Sequence, residues 1–325
     1  MKKKQSKKGV VCVSVGLVLT MVFVSAVLFA APTNFPIKGT LMLPGDSSDT
    51  PVEGARISAW KFYADPPEAP PSEKKAVETN SETNGSFTLE VPVDEALQGG
   101  ALNPFNKVQL RIESTELTEK FVTVYSPFLE LLNLTTPVPG VGDLKNLELS
   151  PLPLDFAKLQ LENIDNLGEK YLVDQSKGIV LGIIEVADGE ELVGLPGVQI
   201  GLKEFPSGNA IDGATILYMD ANENWNPALK STTMYGVFII YNIELIEYSG
   251  LKLRDLSLAT SKMDGYDLGF YAQMRVYPYD TQDGKYNMTV ANYAAFKLST
   301  PEEDGGDDGG GGSVGCFIAT AALGS

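Results

Sequence analysis

Chemistry in this chain has few places to sit. Asp220-Ala221-Asn222-Glu223-Asn224 puts oxygens at the first, third and fifth positions of a calcium loop, a spacing that turns alternate side chains toward a hard cation. Trp225 stands where the sharp turn of such a loop needs glycine, and Ser231 where a bidentate Glu would close the shell. The stretch therefore reads as an Asx-rich turn, with calcium at Asp220, Asn222 and Asn224 as the weaker alternative. Cys316 is the one thiol outside the N-terminal apolar run that holds Cys12, so no internal disulfide is expected once that run is removed. Tyr235, Tyr241, Tyr248, Tyr266, Tyr271, Tyr277 and Tyr279 make the second half rich in rings. Exposed, they would stack on sugars; packed on strands, they would fill a core.

What is missing excludes more. The chain has no histidine, which removes Ser-His and Cys-His nucleophiles and nearly all zinc and iron sites. Glu190-Glu191 and Glu302-Glu303 fall in turns or linkers, where both carboxyls are solvated alike. The glycine run 309–312 lacks the Lys and helix of a phosphate loop. No catalytic residue, metal or cofactor is expected, and the chain does not read as an enzyme. The charge points the same way. Residues 1–31 hold five of the 25 Lys and Arg and none of the 42 Asp and Glu, so removing them leaves 20 against 42, a net −22. Such a surface does not suit nucleic acid or anionic lipid.

The elements that would carry any site come in two matched sets. Pro51-Val-Glu-Gly-Ala-Arg-Ile-Ser-Ala-Trp60 alternates after Gly54, and Asn84-Gly85 within Thr83-Asn84-Gly85-Ser86-Phe87 is expected as the turn of a hairpin that returns through the alternating Phe87, Leu89 and Val91. Gly39 precedes Gly54 by fifteen residues, as Gly182 precedes Gly197, and Gly236 with Phe238 stands for Gly85 with Phe87. From Gly39 to Gly182 and from Gly54 to Gly197 the offset is 143 residues; from Gly85 to Gly236 it is 151, so the second copy holds an eight-residue longer loop. A period this long means two domains rather than a solenoid.

On Gly39, Pro51-Val52-x-Gly54-Ala55-x-Ile57 and Thr83-Asn84-Gly85-Ser86-Phe87 the chain resembles the carboxypeptidase regulatory-like family. Leu195-Pro196-Gly197-Val198 matches more loosely in the second copy. The resemblance implies small prealbumin-type, Ig-like β-sandwiches acting as accessory modules, with no active site. The expected class is all-β, with two tandem sandwiches. Their fold-determining residues would be Gly39, Gly54, Gly85, Phe87, Gly182, Gly197, Gly236 and Phe238.

The expected organisation runs as follows. Residues 1–31, with Lys2, Lys3, Lys4, Lys7 and Lys8 ahead of an apolar run from Val10, form a secretion signal or an uncleaved membrane anchor. Residues 36–155 form the first sandwich and 178–299 the second. Residues 156–177 connect them with no assignable structure. Strands are expected at 108–112, 121–125 and 144–149, a helical turn at 127–134, and a hairpin turn at 280–284. Residues 65–75 read as a Pro-rich insertion loop. Residues 300–315 are an acidic, Gly-rich linker, and Cys316-Phe-Ile-Ala-Thr-Ala-Ala-Leu-Gly-Ser325 is similar to the CFI-box motif that ends many secreted proteins. That similarity makes Cys316 the expected site of modification or processing. The chain is thus expected at the cell surface or outside the cell. It would be a spacer or adhesive module, or alternatively an accessory binder of surface polysaccharide or another extracellular ligand. Partners would be an envelope protein or polysaccharide, with membrane contact only through the N-terminal segment or a C-terminal sorting step.

Overall fold

The computed structural model describes residues 34–43, 49–63, 72–92, 107–115, 121–130, 147–188, 191–205, 207–248, 250–267, 273–281 and 285–297. Residues 1–33, 64–71 and 298–325, Cys316 among them, lie outside these ranges.

The protein is all-β, with two β-sandwiches and, among the described residues, one α-helix. In the first repeat β1 (Asn34–Leu43) pairs antiparallel with β2 (Thr50–Pro51) and β5 (Ser86–Pro92), and parallel with β8 (Leu147–Leu149). Facing it, β3 (Arg56–Tyr63) lies between β4 (Ser72–Asn80) and β6 (Lys107–Glu113), and β6 pairs with β7 (Thr123–Glu130). The second repeat follows the same plan. Here β9 (Gly178–Asp188) pairs antiparallel with β10 (Glu191–Gly194) and β14 (Val237–Ile243), and parallel with β19 (Asn287–Lys297). Facing these, β11 (Ile200–Glu204) pairs with β16 (Leu251–Thr260), and β16 with β15 (Ile246–Tyr248) and β18 (Gln273–Val276).

The hydrogen bonds repeat residue by residue. Leu41 N–H donates to Gly85 O at 2.8 Å, and Ile184 N–H to Gly236 O at 3.0 Å. Val52 N–H donates to Leu41 O at 2.9 Å, and Leu195 N–H to Ile184 O at 2.7 Å. Gly54 N–H reaches Ser81 O at 2.9 Å, and Gly197 N–H reaches Thr232 O at 2.8 Å. A side chain closes each corner: Ala55 N–H donates to Ser81 Oγ and Val198 N–H to Thr232 Oγ1, both at 3.0 Å and both buried. Every pair obeys the two sequence offsets, 143 before the inserted loop and 151 after it. A buried N–H needs an acceptor, so the small hydroxylated residue at 81 and 232 is what both corners demand.

Gly85 and Gly236 hold the tightest point of each corner. Both lie in the left-handed region, at φ 77° and 67°, and a Cβ would overlap the carbonyl oxygen of Leu41 in one and of Ile184 in the other. Gly39 and Gly182 sit directly opposite Phe87 and Phe238 across the ladder. A Cβ on Gly182 would strike the Phe238 ring and stand 2.6 Å from Ala291 O; both rings are buried. An aromatic ring lying over a strand glycine fills the volume that the missing side chain leaves.

The repeats differ in one strand and share a sheet. In the first, β4 pairs with β3; in the second, the inserted loop forms β12 (Thr215–Met219) and β13 (Trp225–Asn226), and β12 pairs with β14 in the opposite sheet. Strand β19 is parallel to β9 over 289–295 and to β7 over 287–289, so one sheet runs from β13 through β14, β9, β19 and β7 to β4. Its two faces serve different sandwiches. Ile179, Leu181 and Ile183 of β9 join the first repeat's core, while Val180, Ile184 and Val186 join the second's.

Four expectations change. Asn84-Gly85 is a turn, but β4 and β5 belong to opposite sheets, so it is a corner between layers rather than a hairpin. The 280–284 turn keeps a local bridge between Asp280 and Tyr286, yet β18 and β19 again enter different sheets. Residues 127–130 are strand, not helix: β7 is bulged opposite Gln109–Arg111, and the bulge accommodates Pro127, which lacks an N–H for the ladder. The connector holds helix α1 (Leu154–Asp165), which buries Ala157, Leu161 and Ile164 against the shared sheet.

Candidate functional site at the seam between the repeats

The structure concentrates its buried polar groups where the repeats meet. The bulge in β7 turns Ser126 inward, and its Oγ accepts Leu110 N–H at 2.9 Å. Gln109, fully buried, donates from Nε2 to Ser126 O at 2.8 Å and to Arg275 O at 3.0 Å. One amide thus ties the bulge of the first repeat to β18 of the second. Arg275 is 1% exposed and donates from Nε and Nη2 to the two carboxylate oxygens of Asp255 at 2.7 and 2.8 Å. This is the bidentate arrangement in which a guanidinium tolerates burial. Thr289 Oγ1 also donates to Arg275 O, at 3.2 Å.

Rings complete the seam. Tyr125 of β7 stacks on Tyr277 with centroids 4.5 Å apart, and its hydroxyl donates to Asn287 Oδ1 at 3.2 Å. The Arg111 guanidinium lies 3.9 Å from the Trp60 ring centre, 4.9 Å from that of Tyr125 and 5.4 Å from that of Tyr277. Asn287 Nδ2 donates to Pro278 O at 3.0 Å. None of these groups is a nucleophile or a general base poised for proton transfer. What they can do is hold two sandwiches in one orientation.

The helix and connector add a second brace. Trp225 Nε1 donates to Gln160 Oε1 at 2.9 Å. Asn242, itself at φ 59°, accepts Asp174 N–H at 2.8 Å and donates to Leu172 O at 2.9 Å.

The calcium-loop residues sit in the turn between β12 and β13, where Asp220 Oδ1 faces the backbone. Asp220 Oδ1 accepts Asn222 N–H at 2.8 Å and Asn224 N–H at 3.1 Å, and Asn224 Nδ2 donates to Asn222 O at 3.0 Å. The Asn224 and Asn222 amides hold the Asp220 carboxyl below the usual carboxylate range. Among the described residues no group of three His, Cys, Asp or Glu gathers around a common point. Of the tyrosines, Tyr241, Tyr277 and Tyr279 are buried, Tyr235, Tyr248 and Tyr266 are half-buried, and Tyr271 lies outside the described residues. Burial pushes the Tyr241 hydroxyl up to about 12. Sequence reasoning missed Gln109, Arg275 and Asp255. The signal was present as Gln109 between Val108 and Leu110 and Arg275 between Met274 and Val276, polar residues within apolar strands, but the partner of each lies far off in sequence or on another strand.

Comparison with known proteins adds the following. The chain is similar to the minor pilin of the gram-positive pathogen Streptococcus agalactiae, at 13% identity, over 83% of this chain and 99% of that one, with TM-score 0.25. It is also similar to the shaft pilin SpaA of Lactobacillus rhamnosus GG, at 10% identity, over 82% and 99%, with TM-score 0.22, and to the Bacillus anthracis TIE protein, at 10% identity, over 81% and 34%, with TM-score 0.21. At such identities and scores these likenesses say nothing of activity or partners. No family model matches the chain, and no curated protein matches it. Among the described residues no helix is long and apolar enough to cross a membrane.

Proposed function

We propose that this chain is a non-catalytic secreted or cell-surface protein whose two β-sandwich repeats act as a single rigid spacer or adhesive module. The seam carries the reading: Gln109 bridges to Arg275 O, and β19 pairs with strands of both repeats. A polar seam buried between sandwiches fixes their orientation, because separating them would break the bond from buried Gln109 to Arg275 O and the ladder between β7 and β19. Tyrosines that a polysaccharide-binding reading would call upon are partly spent on packing, with Tyr241, Tyr277 and Tyr279 buried.

Hydrogen exchange across a guanidinium series allows the test, read at the amides of Leu89 in the first repeat and Leu258 in the second, both fully buried in separate cores. Coincident guanidinium transitions support one body; well-separated transitions contradict it.

A further inference from the structure

Three stretches of the chain read Asn-x-Ser/Thr: Asn84-Gly85-Ser86, Asn133-Leu134-Thr135 and Asn287-Met288-Thr289. This spacing marks an amide nitrogen that can take a glycan in a secreted protein. Asn133 lies outside the described residues. Asn287 is 6% exposed, and its side chain works inside the seam, donating to Pro278 O and accepting from the Tyr125 hydroxyl. Thr289 is buried beside it.

Asn84 is placed differently. The Ser81–Gly85 corner holds it in solvent, near the end of β1 and at the start of β5. Its Oδ1 accepts Ser86 N–H at 2.9 Å, and among the described residues its Nδ2 donates to none. The turn uses the oxygen and leaves the nitrogen. Ser86 Oγ, for its part, donates to the Glu82 carboxylate at 3.0 Å in an exposed pair. Neither residue is demanded by the corner. The offset of 151 residues sets Tyr235-Gly236-Val237 against Asn84-Gly85-Ser86, and the second corner closes in the same way, with Gly236 N–H on Thr233 O as Gly85 N–H is on Glu82 O. An Asx turn does not need an amide either, since the Asp220 carboxylate caps its own turn. Glycine is what the fold requires here; Asn84 and Ser86 add a glycan-accepting motif in the open.

We propose that Asn84 is an N-glycosylation site of the folded protein, with a polyprenyl-pyrophosphate-linked oligosaccharide as donor. In the transfer, Asn84 Nδ2 bonds to the anomeric carbon and the bond from that carbon to the pyrophosphate oxygen breaks. The lipid pyrophosphate leaves, and one amide proton passes to a base of the transferase. The product is still an amide, so Oδ1 keeps its bond to Ser86 N–H and the corner need not open to hold the glycan. The glycan stands at the end of the first repeat opposite Asn34, because Ser86 pairs with Thr40 and Pro92 with Asn34 along one ladder. The inference rests on the secreted or cell-surface reading, since such donors are met outside the cytoplasm. The two fail separately, because the transfer is run on purified protein and the hydrogen-exchange experiment is blind to glycans.

The test incubates the purified full chain with an oligosaccharyltransferase and a polyprenyl-pyrophosphate-linked oligosaccharide, beside a free peptide of residues 80–90. Mass spectrometry of a digest then reads the peptides that hold Asn84 and Asn287. The expected result is the glycan mass on Asn84 of the folded chain, at a rate within several-fold of the free peptide, with Asn287 bare. Asn84→Gln and Ser86→Ala should abolish it and Ser86→Thr should keep it, each variant first shown to be folded by circular dichroism. Transfer to the peptide but not to the folded chain would overturn the proposal, as would transfer to neither. A glycan on Asn287 rather than Asn84, or transfer to Asn84 that survives Ser86→Ala, would overturn it too.

Discussion

Gly236→Ala concentrates the logic of the repeat in one atom. At φ 67° a non-glycine residue pays about 1–2 kcal/mol for the left-handed conformation. The new Cβ would also overlap Ile184 O, a backbone atom fixed in the middle of β9. To make room the corner must withdraw, and Ile184 N–H loses Gly236 O, now 3.0 Å away. A buried N–H left without an acceptor costs about 1–3 kcal/mol more, giving about 2–5 kcal/mol in total. Gly213→Ala supplies the control, since it has φ 84° but nothing within 4 Å of its Cβ, and should cost only about 1–2 kcal/mol. Urea titration followed by circular dichroism measures both, and an unchanged slope shows that the denatured states are comparable. Gly85→Ala should behave like Gly236→Ala, because the Leu41 carbonyl plays the same part. Equal destabilisation by Gly236→Ala and Gly213→Ala would refute the reasoning.

Further outcomes follow from individual groups. Ser81→Ala and Thr232→Val each remove the acceptor for a buried N–H, so each should lose about 1–3 kcal/mol in urea melts, with Thr232→Ser restoring most of the loss. Burial raises the Glu185 carboxyl to about 7 from its ordinary 4.5, so the fold is favoured while that group is protonated, and the benefit drains away as pH climbs through that interval. Glu185→Gln should therefore be near neutral at pH 4.5 and stabilising by about 1–2 kcal/mol at pH 8.5, a figure discounted because the side chain is only partly buried. Thermal melts across that range check it, and a substitution effect independent of pH would count against it. Millimolar calcium should leave the melting temperature where it was, since Asp220 Oδ1 already accepts two backbone amides. A rise of several degrees would restore the calcium loop.

The duplication was legible because it is written in glycines and alternating apolar residues, which report local backbone geometry and burial. Gly54, Gly85, Gly182, Gly197 and Gly236 mark places where a Cβ or a negative φ is excluded, and such exclusions leave a fixed spacing. Which sheet a strand joins is a long-range matter, and there the sequence was silent. The turn at Asn84-Gly85 looks the same whether the strands flanking it pair with each other or with β1 and β3. The switch of β12 to the opposite sheet left no mark in its own residues. Helix α1 escaped notice because only Ala157, Leu161 and Ile164 are buried, a narrow stripe within a charged segment. The seam was hidden for a related reason, since Gln109 and Arg275 lie 166 residues apart and neither carries a motif.

Residual dipolar couplings of the aligned protein test the central claim most directly, because they report the orientation of every N–H bond in a common frame. The account predicts that amides of the first repeat and of the second fit one alignment tensor of the same magnitude and axes. Two tensors of different magnitude, one for each repeat, would mean that the sandwiches move independently and that the seam through Gln109, Arg275 and β19 does not hold.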